Sequence, residues 1–261
     1  MNINWETPPA DMILPPGHVD VWRIQLDLPD DTVNSFFPLL DGDEQTRAKK
    51  YLSGKKTREY VVTRAALRII LAGILQREPR DLKFACGKNG KPYLADPLSF
   101  SSNNRLEFSV SHSYGLALIA FTFCGQVGVD IEKIRADIDH EKLSRRFFSL
   151  QEFKALQQFD EKIRMSAFFA AWTRKEAILK ATGEGLAAKL KEFDVSTDPV
   201  LPPQLLASRT NMLIEGEWFL VTIEADPQYY ATLAVKQDLV SKPELRYRYF
   251  QASAFPCHNL Y

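Results

Sequence analysis

The chain has little of what marks a protein for most specialised settings. Its 261 residues include only three cysteines, Cys86, Cys124 and Cys257, an odd number at wide spacing. That excludes a disulfide framework and offers no zinc-ligand pattern, so the thiols read as reduced. Neither sign of charge is in excess: 33 basic residues meet 33 acidic ones, and the formal net charge is zero. A sequence-independent hold on nucleic acid needs a basic face, so no nucleic-acid partner is expected. No apolar run approaches the roughly 20 residues of a membrane-spanning helix. The opening Met1-Asn-Ile-Asn-Trp-Glu-Thr-Pro-Pro lacks the basic-then-apolar character of a secretory signal. These absences make a cytoplasmic protein without membrane contact the expectation. What is present is a folding composition, 45% apolar, 25% charged and 11% aromatic, enough for a large core.

Residues 1–18 carry two Pro-Pro pairs and read as an extended lead-in. From His18 to Leu28 the pattern alternates, with Trp22, Ile24, Leu26 and Leu28 on one face and Arg23, Gln25 and Asp27 on the other, which predicts a strand. Asp41 to Leu52 reads as a short cationic helix. A longer one from Lys55 to about Gln76 carries a buried stripe of Val61, Ala65, Ile69 and Ala72. Lys88-Asn-Gly-Lys91 is a hairpin-turn signal between short strands. Strands follow over Leu106 to Ser111, Gly115 to Phe123 and Val127 to Ile134. Helices follow over Asp139 to Phe147 and Leu150 to Phe159, the second opened by the capping box Ser149-Leu-Gln-Glu152. A third helix lies between Glu161 and Thr182, ahead of a Gly183-Glu-Gly185 stop and a turn at Gly185-Leu186. Phe193 to Thr197, Glu217 to Ala225 and Tyr229 to Lys236 complete the strands, and residues 238–261 read as an extension across the surface.

The order repeats coarsely, strand, helices, then strands, over 19–125 and again over 126–237. The expected fold is therefore α+β, two similar subdomains of small, mostly antiparallel sheets packed with helices, with a ligand crevice between them.

Chemistry concentrates on two runs. In Val127-Gly-Val-Asp-Ile-Glu, the strand period of two puts Asp130 and Glu132 on one face, where they repel unless a cation intervenes. In Trp172-Thr-Arg-Lys-Glu-Ala-Ile-Leu-Lys, helical spacing points Glu176 and Lys180 the same way. Three carboxylates without cysteine or histidine at ligand spacing suit Mg²⁺, which shares its shell with substrate phosphates. The bland alternatives are a solvated acidic strand, a surface Glu–Lys pair, a structural His112, a hairpin Lys91 and exposed helix cations at Arg47 and Arg64. Each is sufficient alone.

Taken in order, Gly90-Lys-Pro, Ser111-His-Ser, Gly128-Val-Asp-Ile-Glu and Trp172-Thr-Arg-Lys-Glu-Ala-Ile-Leu-Lys resemble the Sfp-type 4′-phosphopantetheinyl transferases. The last run fits the family pattern of aromatic, small, any, Lys-Glu, small, any two, Lys. The resemblance spans Val19 to Val235 and favours the monomeric type with two pseudo-two-fold halves and the active site at their interface. It implies transfer of phosphopantetheine from coenzyme A to a carrier-protein serine, with release of 3′,5′-ADP. By the motifs, Asp130, Glu132 and Glu176 would hold Mg²⁺, with Mn²⁺ as a substitute. Glu176 would be the base and Lys180 would steady the transferring phosphoryl group. Asp130, Ser111, His112, Lys91, Lys175 and Lys180 would face the coenzyme, and Arg47 and Arg64 are candidates for its 3′-phosphate. Trp172 reads as an anchor of its helix. The basic, apolar lip from Lys142 to Phe148 could receive an acidic acyl or peptidyl carrier. Two rival classes remain, a coenzyme-binding sensor without turnover and a magnesium-dependent phosphohydrolase.

Overall fold

Two 22-residue helices, each laid across a small sheet, form the outer layers of the protein. The computed structural model describes residues 3–8, 11–95, 100–101, 104–183, 190–209, 216–237 and 242–254. Cys257 and the Gly185-Leu186 turn lie outside them. Strands in chain order are β1 (His18–Gln25), β2 (Phe84–Cys86), β3 (Pro92–Leu94), β4 (Phe100–Ser101), β5 (Asn104–Arg105), β6 (Glu107–Ser113), β7 (Leu116–Thr122), β8 (Gln126–Lys133), β9 (Phe193–Val195), β10 (Leu205–Ser208), β11 (Glu217–Thr222), β12 (Tyr229–Gln237) and β13 (Glu244–Phe250). Helices are α1 (Asp30–Phe36), α2 (Gly42–Lys49), α3 (Gly54–Leu75), α4 (His140–Phe147), α5 (Leu150–Gln157) and α6 (Glu161–Thr182).

The first sheet runs β13-β1-β7-β6 and the second β11-β12-β8. Three apolar layers separate the elements. Under α3, Val62, Ala66 and Ile70 meet Trp22, Ile24, Ile119 and Phe121 of the first sheet. Between the sheets, Val19, Val21, Leu118 and Ala120 meet Val129, Ile131, Leu233 and Val235. Under α6, Ala167, Phe168 and Ile178 meet Phe148, Phe193 and Ala234. The fold is thus α+β, as the pattern predicts, with the sheets stacked face to face and a helix outside each. Among the described residues, no helix is long and apolar enough to cross a membrane.

Both faces of β1 are covered, because it lies between two of these layers; the alternation shows only the face under α3. α3 is likewise buried almost all round from Val61 to Ala72, beyond a single stripe, because α1 and α2 pack on it from outside the sheet. The capping box at Ser149 and Glu152 forms as expected. The stretch after Gln237 differs from a surface extension, because it supplies β13, paired in parallel with β1. Arg246 donates to both carboxylate oxygens of Asp20 (2.5 and 2.7 Å) and Arg248 to Glu6 (3.0 Å), which fixes that strand against β1 and the lead-in.

One glycine sets the spacing of the second half. A Cβ on Gly128 of β8 would stand 1.9 Å from the Ala177 carbonyl oxygen and 2.4 Å from the Ala181 nitrogen. Only a residue without a side chain lets α6 lie this close to β8. That approach brings Glu176 and Lys180 over the strand carrying Asp130 and Glu132.

Candidate active site between the two sheets

β8 is an edge of its sheet, so alternate N–H groups along it have no strand partner. Serines of β6 provide one. The N–H groups of Val129, Ile131 and Lys133 donate to the hydroxyls of Ser109 (3.0 Å), Ser111 (3.3 Å) and Ser113 (3.2 Å). Two of these hydroxyls then donate onward, Ser111 to Asp130 Oδ1 and Ser113 to Glu132 Oε2, each at 2.8 Å. The seam between the sheets therefore orients both strand carboxylates.

From above, Lys180 Nζ donates to Asp130 Oδ1 and to Ser111 Oγ, both at 2.7 Å. Glu176 is buried, and its Oε1 has no hydrogen-bond partner; neither has Asp130 Oδ2. Burial, reinforced by Asp130 and Glu132 and opposed by Lys180, pushes the Glu176 carboxyl up to about 8. Glu132 is raised as well, by burial and then by Asp130. Buried carboxylate oxygens without partners are costly, and these two are suited to a hard cation. Among the described residues, no three histidine, cysteine, aspartate or glutamate side chains form a preformed metal cage. One oxygen of Asp130 is turned to Lys180 and one of Glu132 to Ser113.

Beside these groups lies a cavity of about 230 Å³ lined by Lys91, Ser109, Glu176, Lys180 and Gly183. It shares Gly90, Pro92 and Val110 with a second cleft of about 470 Å³ that reaches Arg47, Tyr60, Arg64 and His112. Two adjoining clefts result, the channel lined by Lys91, Glu176 and Lys180 and an outer cleft where Arg47, Arg64 and His112 stand beside Asp41, Asp43 and Glu44. His112 projects from β6 on the face opposite Ser111 at the exposed edge of the cleft, where partial desolvation lowers its pKa. Arg47 is exposed, with its guanidinium 5.5 Å from the Tyr60 ring centroid. Arg64 is more tied, because both its Nε (2.7 Å) and its Nη2 reach Glu44.

Lys91 does more than line the channel. Its Nζ donates to the carbonyls of Val127 and Ala181 (3.1 Å each) and lies 3.3 Å from Glu107, while Asn89 donates to Gly183 O at 3.1 Å. The Asn-Gly hairpin, with Gly90 at φ +88°, therefore caps the C-terminal carbonyls of α6 from the other half of the molecule. Burial lowers the Lys91 pKa.

Lys175 is not in the channel, which corrects its expected contact with the coenzyme. One residue along a helix turns the side chain by about 100°, and Lys175 points away from Glu176 into the core. Its Nζ holds Glu152 (2.6 and 2.8 Å) and Phe193 O (2.6 Å), tying α5, α6 and β9 together. Trp172 packs among Phe147, Phe148 and Phe168, as an anchor should. The residues that motif reading passes over are Ser109, Ser113, Asn89 and Glu152. The Ser-x-Ser-x-Ser alternation of β6 was the available signal.

Comparison with known proteins shows the family. Residues 126–234 match the 4′-phosphopantetheinyl transferase superfamily profile, and residues 29–123 match that of the 4′-phosphopantetheinyl transferase N-terminal family. The chain is 35% identical over 231 residues to the 4′-phosphopantetheinyl transferase HetI of Nostoc sp., covering 88% of this chain and 93% of that protein. It is 25% identical over 196 residues to the 4′-phosphopantetheinyl transferase Sfp of Bacillus subtilis, covering 74% and 81%. Among solved structures, the holo-(acyl-carrier-protein) synthase of Thermotoga maritima matches with a TM-score of 0.35 and 18% identity, over 44% of this chain and 64% of that one.

Proposed function

The chain belongs to the 4′-phosphopantetheinyl transferase superfamily, in its Sfp-like type, and from that premise we propose a magnesium-dependent transfer from coenzyme A to a serine of an acyl or peptidyl carrier protein, with release of 3′,5′-ADP. The observation that carries the reading is the pair of buried, unpartnered carboxylate oxygens, Asp130 Oδ2 and Glu176 Oε1, beside a channel whose adjoining cleft holds Arg47 and His112. These oxygens fit a divalent cation: Asp130, Glu132 and Glu176 would hold Mg²⁺, or Mn²⁺ in its place, which supplies charge neutralisation at the coenzyme's diphosphate.

The chain's own groups do the rest. In the transfer a bond forms between the carrier serine oxygen and the phosphorus bearing the pantetheine arm, while the bond from that phosphorus to the oxygen leading to 3′,5′-ADP breaks. Glu176 takes the serine proton, directly or through a water. Burial and the neighbouring acids push this carboxyl up to about 8, so a cation held beside it would favour the ionised form that accepts the proton. Lys180, whose side chain is part-exposed to the channel, places a point charge against the transferring phosphoryl oxygens. His112 and Arg47 lie where the nucleotide phosphates would run, with Arg64 behind them, its charge shared with Glu44. Ser111 is fully used, since its hydroxyl donates to Asp130 and accepts from Lys180 and Ile131. It serves the coenzyme by holding those two groups rather than by a free hydroxyl. We read 19–125 and 126–237 as two subdomains of a monomer, each with one long helix and one main sheet, the first sheet being completed by β13 from beyond both ranges.

Incubating the protein with apo carrier, coenzyme A and Mg²⁺ and weighing the carrier tests this. A mass gain of one phosphopantetheine unit is expected. Nucleotide release without that gain would indicate a phosphohydrolase, and neither change would indicate a coenzyme-binding sensor.

A further inference from the structure

The serine seam assigns a role to a residue outside the motifs' ligand set. We propose that Ser113 is a positioning residue, fixing the Glu132 carboxylate for the cation; this rests on the function proposed above. Ser113 is buried, and its hydroxyl has two partners: it accepts from the Lys133 N–H (3.2 Å) and donates to Glu132 Oε2 (2.8 Å). The first bond clips the hydroxyl to the backbone of the strand that carries Glu132. The second then fixes a carboxylate that is only part-buried and that, among the described residues, has no salt bridge at contact distance, Lys180 and Arg135 acting on it from farther off.

Ser111 shows the same construction one step along, clipped to Ile131 N–H and holding Asp130. The two acids differ in what else restrains them. Asp130 has Lys180 at 2.7 Å as a second hold, whereas Glu132, one methylene longer, relies on Ser113. Ser109 supports the pattern from the other end, because it is clipped to Val129 while the residue in the carboxylate position there is Gly128. A hydroxyl is thus kept at all three rungs, and it holds an acid at the two where there is one. Groups that orient a metal-binding carboxylate are typically worth roughly 10- to 100-fold in metal affinity.

The test uses the full chain with Ser113→Ala and Ser113→Thr, the latter keeping the hydroxyl. Mn²⁺ is titrated into each protein without carrier and its affinity read by electron paramagnetic resonance. Backbone deuterium exchange at Lys133 is followed in the same samples, and the Mg²⁺ dependence of transfer is measured beside them. For Ser113→Ala the expected results are Mn²⁺ binding weaker by roughly tenfold, a matching rise in the half-saturating Mg²⁺ concentration, kcat at saturating Mg²⁺ close to wild type, and faster exchange at Lys133. Ser113→Thr should recover all of these. Unchanged Mn²⁺ affinity in the alanine variant overturns the proposal, as does equal weakening in both variants, which would make the effect one of packing. Wild-type protein that binds no Mn²⁺ removes the metal-site reading itself and this inference with it, whereas a wild type that binds and an alanine variant that binds equally removes Ser113 alone.

Discussion

Replacing Glu176 with glutamine should stabilise the metal-free protein, and by an amount that depends on pH. The folded carboxyl is held near 8, against an ordinary value of 4.5 that applies once the chain unfolds. Between those values the folded protein keeps a proton that the unfolded chain has released. Stability therefore falls as pH rises through that window. Below 4.5 both states are protonated and the group contributes nothing; above about 8 the full cost of a buried, repelled carboxylate is present. At about 1.4 kcal/mol per unit, the gap corresponds to a cost on the order of 5 kcal/mol. Glutamine has the shape of the protonated acid, so Glu176→Gln should match wild type near pH 5 and exceed it by several kcal/mol near pH 9. Urea titrations of both proteins across that range, in chelator, measure the difference directly. His112 titrates in both proteins and cancels on subtraction, so the difference reports Glu176 together with its coupling to Asp130 and Glu132. Parallel stability curves from pH 5 to 9 would refute the reasoning, since they would mean that Glu176 is not held against Asp130 in a dry site. Adding Mg²⁺ with coenzyme A should shrink the variant's advantage, and the variant should bind the coenzyme while failing to transfer.

Three further outcomes follow from other parts of the structure. Gly128→Ala should cost about 3 kcal/mol or more, because its methyl must force α6 from β8; an unfolding free energy within about 0.5 kcal/mol of wild type would show that the contact yields freely. Lys175→Met should cost about 3–5 kcal/mol in urea titration, since it leaves Glu152 buried without its cation, and the KM for coenzyme A should be unchanged; a raised KM with normal stability would return Lys175 to the channel. Exchanging both Arg145 and Arg146 for glutamate should raise the KM for carrier and leave coenzyme binding intact, because both are exposed on α4; no change in either quantity would remove that helix as the docking lip.

Most elements were legible because their signals are local. The hairpin at Asn89-Gly90, the capping box at Ser149 and the long helices depend on neighbours within a turn or two. What escaped depends on partners far along the chain. β13 alternates Leu245, Tyr247 and Tyr249 with Arg246 and Arg248, but its strand state comes from β1 and from the ion pair to Asp20, more than two hundred residues away. The site divides in the same way. Carboxylate spacing and the helical Glu–Lys pair point to Asp130, Glu132, Glu176 and Lys180, which the fold brings together. Lys175 was misplaced because adjacency in a motif carries no direction, and on a helix the next residue faces elsewhere.

The motif residues converge only because the two halves meet along an unusual seam. β8 has a free edge, and a second strand paired to it would satisfy its N–H groups but cover the ground beside Asp130 and Glu132. Serine hydroxyls satisfy the same donors while taking far less space, and each has a proton left to give to an acid. The three N–H groups are thereby paired, the carboxylates are oriented, and the flank stays open for the channel. From the other side Lys91 and Asn89 hold the last turn of α6, where Lys180 stands. The first half therefore restrains the proposed catalytic side chains of the second, and separating the two would disperse the site even with both cores intact. This explains why the functional motifs are spread from Gly90 to Lys180 instead of gathering on one element.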